Sequence, residues 1–191
     1  VASLPNARLQ VYFMDNEDYF KRKRVFTDDK GKFFDDNGER AIFFCKSALE
    51  TVKKFGWPPD IIHCHGWMTS LVPLYIKTAY KKEPVFNYSK VVYTAQNEQF
   101  KGDLGENFLK KATISSDIKD KDLEPFKDGT NLAMTLGGSK YAEVVVHGDD
   151  KLDKSITDEV KASRYKKVVK FDEAWKEDAT ALLDLYKSLT E

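Results

Sequence analysis

A chain of 191 residues fits one large domain, at roughly 100–200 residues per domain. Its 31 Lys and Arg balance 31 Asp and Glu, so no net field draws it toward nucleic acid or an anionic membrane surface. Aromatic residues form 13% of the chain, which excludes wholesale disorder, and no apolar run nears the ~18 residues of a bilayer span.

The chain opens without Met, and Arg8–Met14 already alternates like a strand, so residues are expected to be missing upstream. Asp15–Asp18 forms a turn and helix-start cluster, and 26–38 reads as a polar loop or small hairpin. Residues 39–54 repeat Ala41, Phe44, Cys45, Ala48, Leu49 and Val52 at helical spacing, with lysines in the last turn, before Gly56 and Pro58-Pro59 end the helix.

Asp60–His65 predicts a buried interior strand of a parallel sheet, followed by a tight turn and a helix over about 67–80. A second strand over 90–95 completes a βαβ unit. The stretch 102–127 carries little periodicity, and 130–136 reads as a short helix. A strand over 141–148, a helix over 151–164, a short strand over 165–171 and an amphipathic helix over 172–189 finish the chain. The expected fold is therefore one α/β, Rossmann-like domain over 1–191, with a mostly parallel sheet and helices on both faces. Ile61, Ile62, Val91, Val92, Val144 and Val145 should form its central layer. The lysine groups at 77–82 and 166–170 read as solvated faces. Cys45 and Cys64 lie in apolar periodic segments and read as buried free thiols, which fits a reducing, cytoplasmic setting.

Ligands of open α/β sheets bind at the carboxyl ends of the strands. That places His65, Gly66, Trp67 and Thr69 after one strand, and Gln96 and Asn97 after the next, in a candidate binding site. His63 and His65 share one face of their strand and Cys64 takes the other, so the trio does not converge as metal ligands, and no metal or cofactor is expected. Two readings of the histidines stand: a buried, hydrogen-bonded strand end, or a ligand-facing pair. Trp67 either packs in the core or offers a stacking face to a sugar. The run Gln96–Gly102 is either a carbohydrate-binding loop or an ordinary polar one. No residue is singled out as catalytic.

Four segments in order resemble the amino-terminal half of the glycogen and starch synthases, retaining glycosyltransferases. They are Val11–Asn16 with Tyr19-Phe20; Asp36-Asn37 with Arg40 and the helix after it; Asp60–Trp67 with Thr69 and Leu71-Val72-Pro73; and Lys90–Asn97 with Phe100 and Gly102. The likeness covers about residues 8–102, and within the family it is to short glycogen-synthase-like proteins of Bacteroides-type bacteria. It implies the amino-terminal half of a GT-B fold that holds an α-1,4-glucan acceptor, while a separate domain, for which this chain has no room, holds ADP-glucose. Two positions depart from the family pattern. Gly66 stands where the His-x-His-Asp-Trp signature has Asp, and Gln96 where Thr-x-His-Asn has His. The first loses a carboxylate and the second a group able to carry a proton near neutral pH. The resemblance thus implies a glucosyltransferase domain inactive by itself; a silent glucan-binding or regulatory domain and an assembly subunit needing a donor-binding protein are the alternatives.

Overall fold

The computed structural model describes residues 1–3, 9–97, 99–162, 167–176, 178 and 180–191. The elements in chain order are β1 (Ala2–Ser3), β2 (Gln10–Val11), α1 (Glu17–Phe20), α2 (Asn37–Phe55), β3 (Ile61–His65), α3 (Leu71–Lys77) and β4 (Lys90–Ala95). They continue as α4 (Phe108–Ala112), α5 (Asp120–Leu123), α6 (Asn131–Tyr141), β5 (Val144–His147), α7 (Lys154–Ala162), β6 (Lys167–Val169) and α8 (Thr180–Thr190).

The apolar runs at 91–95 and 144–146 behave as two-sided burial requires. They become the inner strands of a four-stranded, all-parallel sheet in the order β3-β4-β5-β6. One face carries Cys64, Val91, Tyr93 and Val145 against Cys45 and Leu49 of α2, Leu71 and Tyr75 of α3, and Met134 of α6. The other carries Val92, Val144 and Val146 against Leu185, Tyr186 and Trp175. Helices therefore cover both faces, as the Rossmann-like expectation requires. Glu143 fastens the entry to this layer: its Oε2 accepts the Val91 N–H at 2.7 Å, its own N–H donates to the Val91 carbonyl, and Lys77 pairs with its other oxygen.

The Asp36-Asn37-x-x-Arg40 sequence at the start of α2 is a folding hub. Arg40, 2% exposed, donates to the carbonyls of Tyr19 and Val25 and to Asn37 Oδ1. Asp36 accepts two bonds from Arg22, at 2.7 and 2.5 Å, and this pairing holds its carboxyl below the usual range. Of the loop or small hairpin expected within 26–38, the structure has a single antiparallel bridge between Thr27 and Phe33.

Several expectations are corrected. The strand expected over 8–14 does not join the parallel sheet; Gln10 and Val11 pair antiparallel with Ala2 and Ser3 in a separate ribbon, and Arg8 lies outside the described residues. Leu9, Val11 and Phe13 find no buried face there and stay exposed. β3 is then the edge of the sheet among the described residues, not an interior strand, and Ile61 and Ile62 are only half-buried. The Lys90 N–H bonds the Asp60 carbonyl and the Gly66 N–H the Thr94 carbonyl, so the even-numbered peptides of β3 face β4. Alternation turns those of Ile61 and His63 outward.

The helix after β3 is shorter than expected, a 3₁₀ turn at Trp67–Thr69 and then α3, which ends as the Thr78 hydroxyl bonds back to the Leu74 carbonyl at 2.7 Å. The stretch 102–127 holds α4 and α5, pinned by buried Phe108, Ile118, Leu123 and Phe126. α6 runs through Tyr141, five residues beyond its expected end at 136 and into the expected strand. It is packed on most sides, so it carries no one-sided period. Gly137 and Gly138 allow that packing: a Cβ on the first would lie 2.2 Å from the Phe126 ring, and on the second 2.7 Å from the Tyr93 ring. α8 starts at Thr180 rather than 172, leaving Phe171 and Trp175 before it and a 3₁₀ turn at Glu173–Lys176. Of the expected strand 165–171, Lys167–Val169 is observed; residues 163–166, shared between that strand and the helix before it, lie outside the described residues.

Candidate functional site

β3, β4 and β5 end at the same side of the sheet. The register pairs His65 with Thr94 and Ala95 with His147, so Gly66 and Gly148 flank the first residues beyond β4. Gln96 lies between them. A Cβ on Gly66 would sit 2.5 Å from Gln96 Oε1, and one on Gly148 would sit 2.9 Å from Gln96 Cγ. Gly66 holds φ +70° with ψ 179°, a conformation that side chains rarely adopt. The Gly148 N–H donates to the Ala95 carbonyl at 2.8 Å, which draws the β5 end against β4.

Gln99 reaches back over this slot. Its Nε2 donates to Gln96 Oε1 at 2.7 Å, and its backbone N–H donates to Oδ1 of buried Asn131 at 3.1 Å, at the start of α6. Asn97 points elsewhere. Its N–H donates to Asp149 Oδ2, its Nδ2 to the Lys151 carbonyl, and its Oδ1 accepts the Asp153 N–H. Asn97 is thus a clip that fixes the loop after β5.

Both histidines lie on the α8 face, with Cys64 on the other, and their rings stack at 4.1 Å. His63 Nδ1 is 2.5 Å from the Tyr186 hydroxyl and Nε2 2.7 Å from Thr94 Oγ1. Desolvation, reinforced by His65, holds its pKa down at about 4. His63 is the hydrogen-bonded strand end of the two readings, half-buried rather than fully buried. His65 remains exposed, and desolvation of its ring lowers its pKa too. Thr69 spends its hydroxyl on the carbonyls of His65 and Gly66, at 3.0 and 3.1 Å, closing the turn.

Trp67 is 1% exposed and packs on Phe26, Phe33 and Phe100 at 5.1, 6.1 and 4.7 Å. It takes the core-packing role and supports the floor of the turn from below. Of the six expected positions, the structure brings buried Gly66 and half-buried Gln96 together beside exposed His65, and turns Trp67, Thr69 and Asn97 to support. Sequence reasoning missed Gly148 and did not single out Gln99. The repeated His-Gly at two strand ends, 65–66 and 147–148, was the available signal for Gly148.

A family model described as the starch synthase catalytic domain matches residues 1–170. The chain belongs to the starch synthase catalytic domain family. A glycogen synthase of Chlorobaculum tepidum is 35% identical over 164 residues, which cover 85% of this chain and 33% of that protein. That of Chlorobium limicola is 37% identical over 149 residues, 76% of this chain and 29% of the relative. The chain thus spans about a third of the length of these starch synthase family relatives. The catalytic domain of starch synthase IV from Arabidopsis thaliana, solved bound to ADP and acarbose, superposes with a TM-score of 0.58 over 82% of this chain and 34% of that one, at 17% identity. That likeness supports the fold: a Rossmann-like layer matching part of a GT-B starch synthase.

Proposed function

We propose that this chain is the acceptor side of a glucosyltransferase that uses ADP-glucose, binding an α-1,4-glucan at the carboxyl ends of β3 and β4 and turning over no donor by itself. The observation that carries this reading is the meeting of Gly66 and Gln96, next to exposed His65, where two βα turns open, with neutral donors and acceptors suited to sugar hydroxyls. His65, Gly66 and Gln96 are the ligand-facing positions; Trp67, Thr69 and Asn97 hold them in place.

The chemistry favours binding over turnover. Gln96 cannot accept and return a proton at neutral pH, and Gly66 offers no carboxylate. The acarbose held by the Arabidopsis domain, and the glycogen synthases among the relatives, favour a glucan as ligand. A second reading, an assembly subunit working with a donor-binding polypeptide, draws on the edge position of β3 among the described residues. A cytoplasmic location accords with two buried free thiols, and the balanced charge gives no pull toward nucleic acid or membrane. No helix among the described residues is long and apolar enough to cross a membrane.

Incubation with ADP-glucose and glycogen tests the proposal. The chain is expected to sediment with glycogen and to release no ADP. Robust ADP release by this chain alone would overturn it, and neither sedimentation nor release would leave the assembly reading.

A further inference from the structure

We infer that Gln96 and Gln99 form a neutral amide ledge, seated in the slot between Gly66 and Gly148, which takes over the ligand-binding role of the missing side chain at position 66. This rests on the proposed reading that a glucan occupies the carboxyl ends of β3 and β4. The Gln96 carbonyl oxygen lies 2.5 Å from where a Cβ at 66 would be, and Gln99 Oε1 lies 3.2 Å from the same point. An acceptor therefore occupies the space over position 66, supplied by the neighbouring strand and uncharged. Gly66 and Gln96 are one coupled change: the glycine opens the volume, and the glutamine fills it.

The ledge is built rather than incidental. Gly148 leaves room for the Gln96 stem, the 2.7 Å bond from Gln99 Nε2 fixes the direction of the Gln96 carbonyl, and Asn131 anchors the Gln99 backbone. That amide–amide bond consumes Gln96 Oε1 and one N–H of Gln99. The Gln96 NH₂, the second Gln99 N–H and Gln99 Oε1 are left to meet a ligand. Three N–H donors and an acceptor, with no carboxylate among them, suit vicinal hydroxyls of a neutral sugar and give no attraction to a cationic ligand.

Two measurements on the full chain test this. In the absence of ligand, a thermal-denaturation cycle compares the parent, Gly66→Ala, Gln96→Ala and the double variant. Gly66→Ala is expected to lower Tm by roughly 4–10 °C through backbone strain and the blocked slot, and Gln96→Ala to return part of that loss. If Gly66→Ala does not fold, recovery of folded protein in the double variant reports the same coupling. An additive cycle would overturn the slot. In calorimetry with maltoheptaose, Gln99→Ala, whose side chain is exposed, is expected to bind about 3–10-fold more weakly with Tm within about 2 °C of the parent. Unchanged affinity would overturn the ledge as a ligand-binding group. A parent that binds no maltoheptaose, beside a coupled cycle, would defeat the glucan reading and the ledge's ligand role while leaving the slot standing.

Discussion

Acidification should destabilise the fold through His63 before the carboxylates begin to titrate. The ring is wedged between Thr94 of β4 and Tyr186 of α8, against the ring of His65. Its two partners are hydroxyls that can each accept or donate, so the barrier to protonation is desolvation and then the neighbouring imidazole, not a lost hydrogen bond. A histidine whose pKa falls on folding binds its proton more readily in the unfolded chain. Stability is therefore intact above pH 6.5, declines as pH drops below that value, and stops declining from this source near pH 4, where the folded form also protonates. The interval from 6.5 to about 4, at 1.36 kcal/mol for each tenfold change in proton activity, amounts to about 3 kcal/mol as an order of magnitude. Urea denaturation of the parent and of His63→Gln, at steps from pH 7.5 to 4.5, isolates this contribution. His65 and His147, the other two histidines, titrate in both proteins. The parent should lose on the order of 3 kcal/mol more than His63→Gln across that range. Parallel pH profiles would show that His63 is not held neutral by the fold.

Two further outcomes follow from buried groups. Arg40→Met removes the hub that gathers the Tyr19 and Val25 carbonyls and Asn37, and should cost about 3 kcal/mol in chemical denaturation because those partners stay behind unpaired; a cost below about 1 kcal/mol would contradict the hub. Burial pushes the Cys45 thiol up to about 12 and raises Cys64 as well, so at pH 8 a thiol reagent should label both only after denaturant is added; rapid labelling of the native protein would contradict their burial.

What was legible in the sequence divides along physical lines. β4 and β5 are short apolar runs buried on both faces, and α2 has one apolar stripe, so local pattern suffices for all three. α6 is packed on most sides, so its true length depended on the contacts of Gly137 with Phe126 and Gly138 with Tyr93, which no window of sequence contains. The same holds for the edge position of β3, which follows from the pairing of Gln10 and Val11 with Ala2 and Ser3. In the candidate site, the strand-end positions of His65, Gly66 and Gln96 were readable from periodicity alone. The burial of Trp67 was not, because Phe26, Phe33 and Phe100 arrive from distant loops. The diversion of Asn97 depends likewise on a loop more than fifty residues away, at 149–153.

Backbone-amide NMR of the chain titrated with maltoheptaose reads whether a glucan occupies the carboxyl ends of β3 and β4. Saturable shifts are expected, centred on the amides of His65, Gly66, Gln96 and Gln99, with those of β6 unmoved. Shifts confined to another surface, or none up to millimolar sugar, would contradict that occupancy.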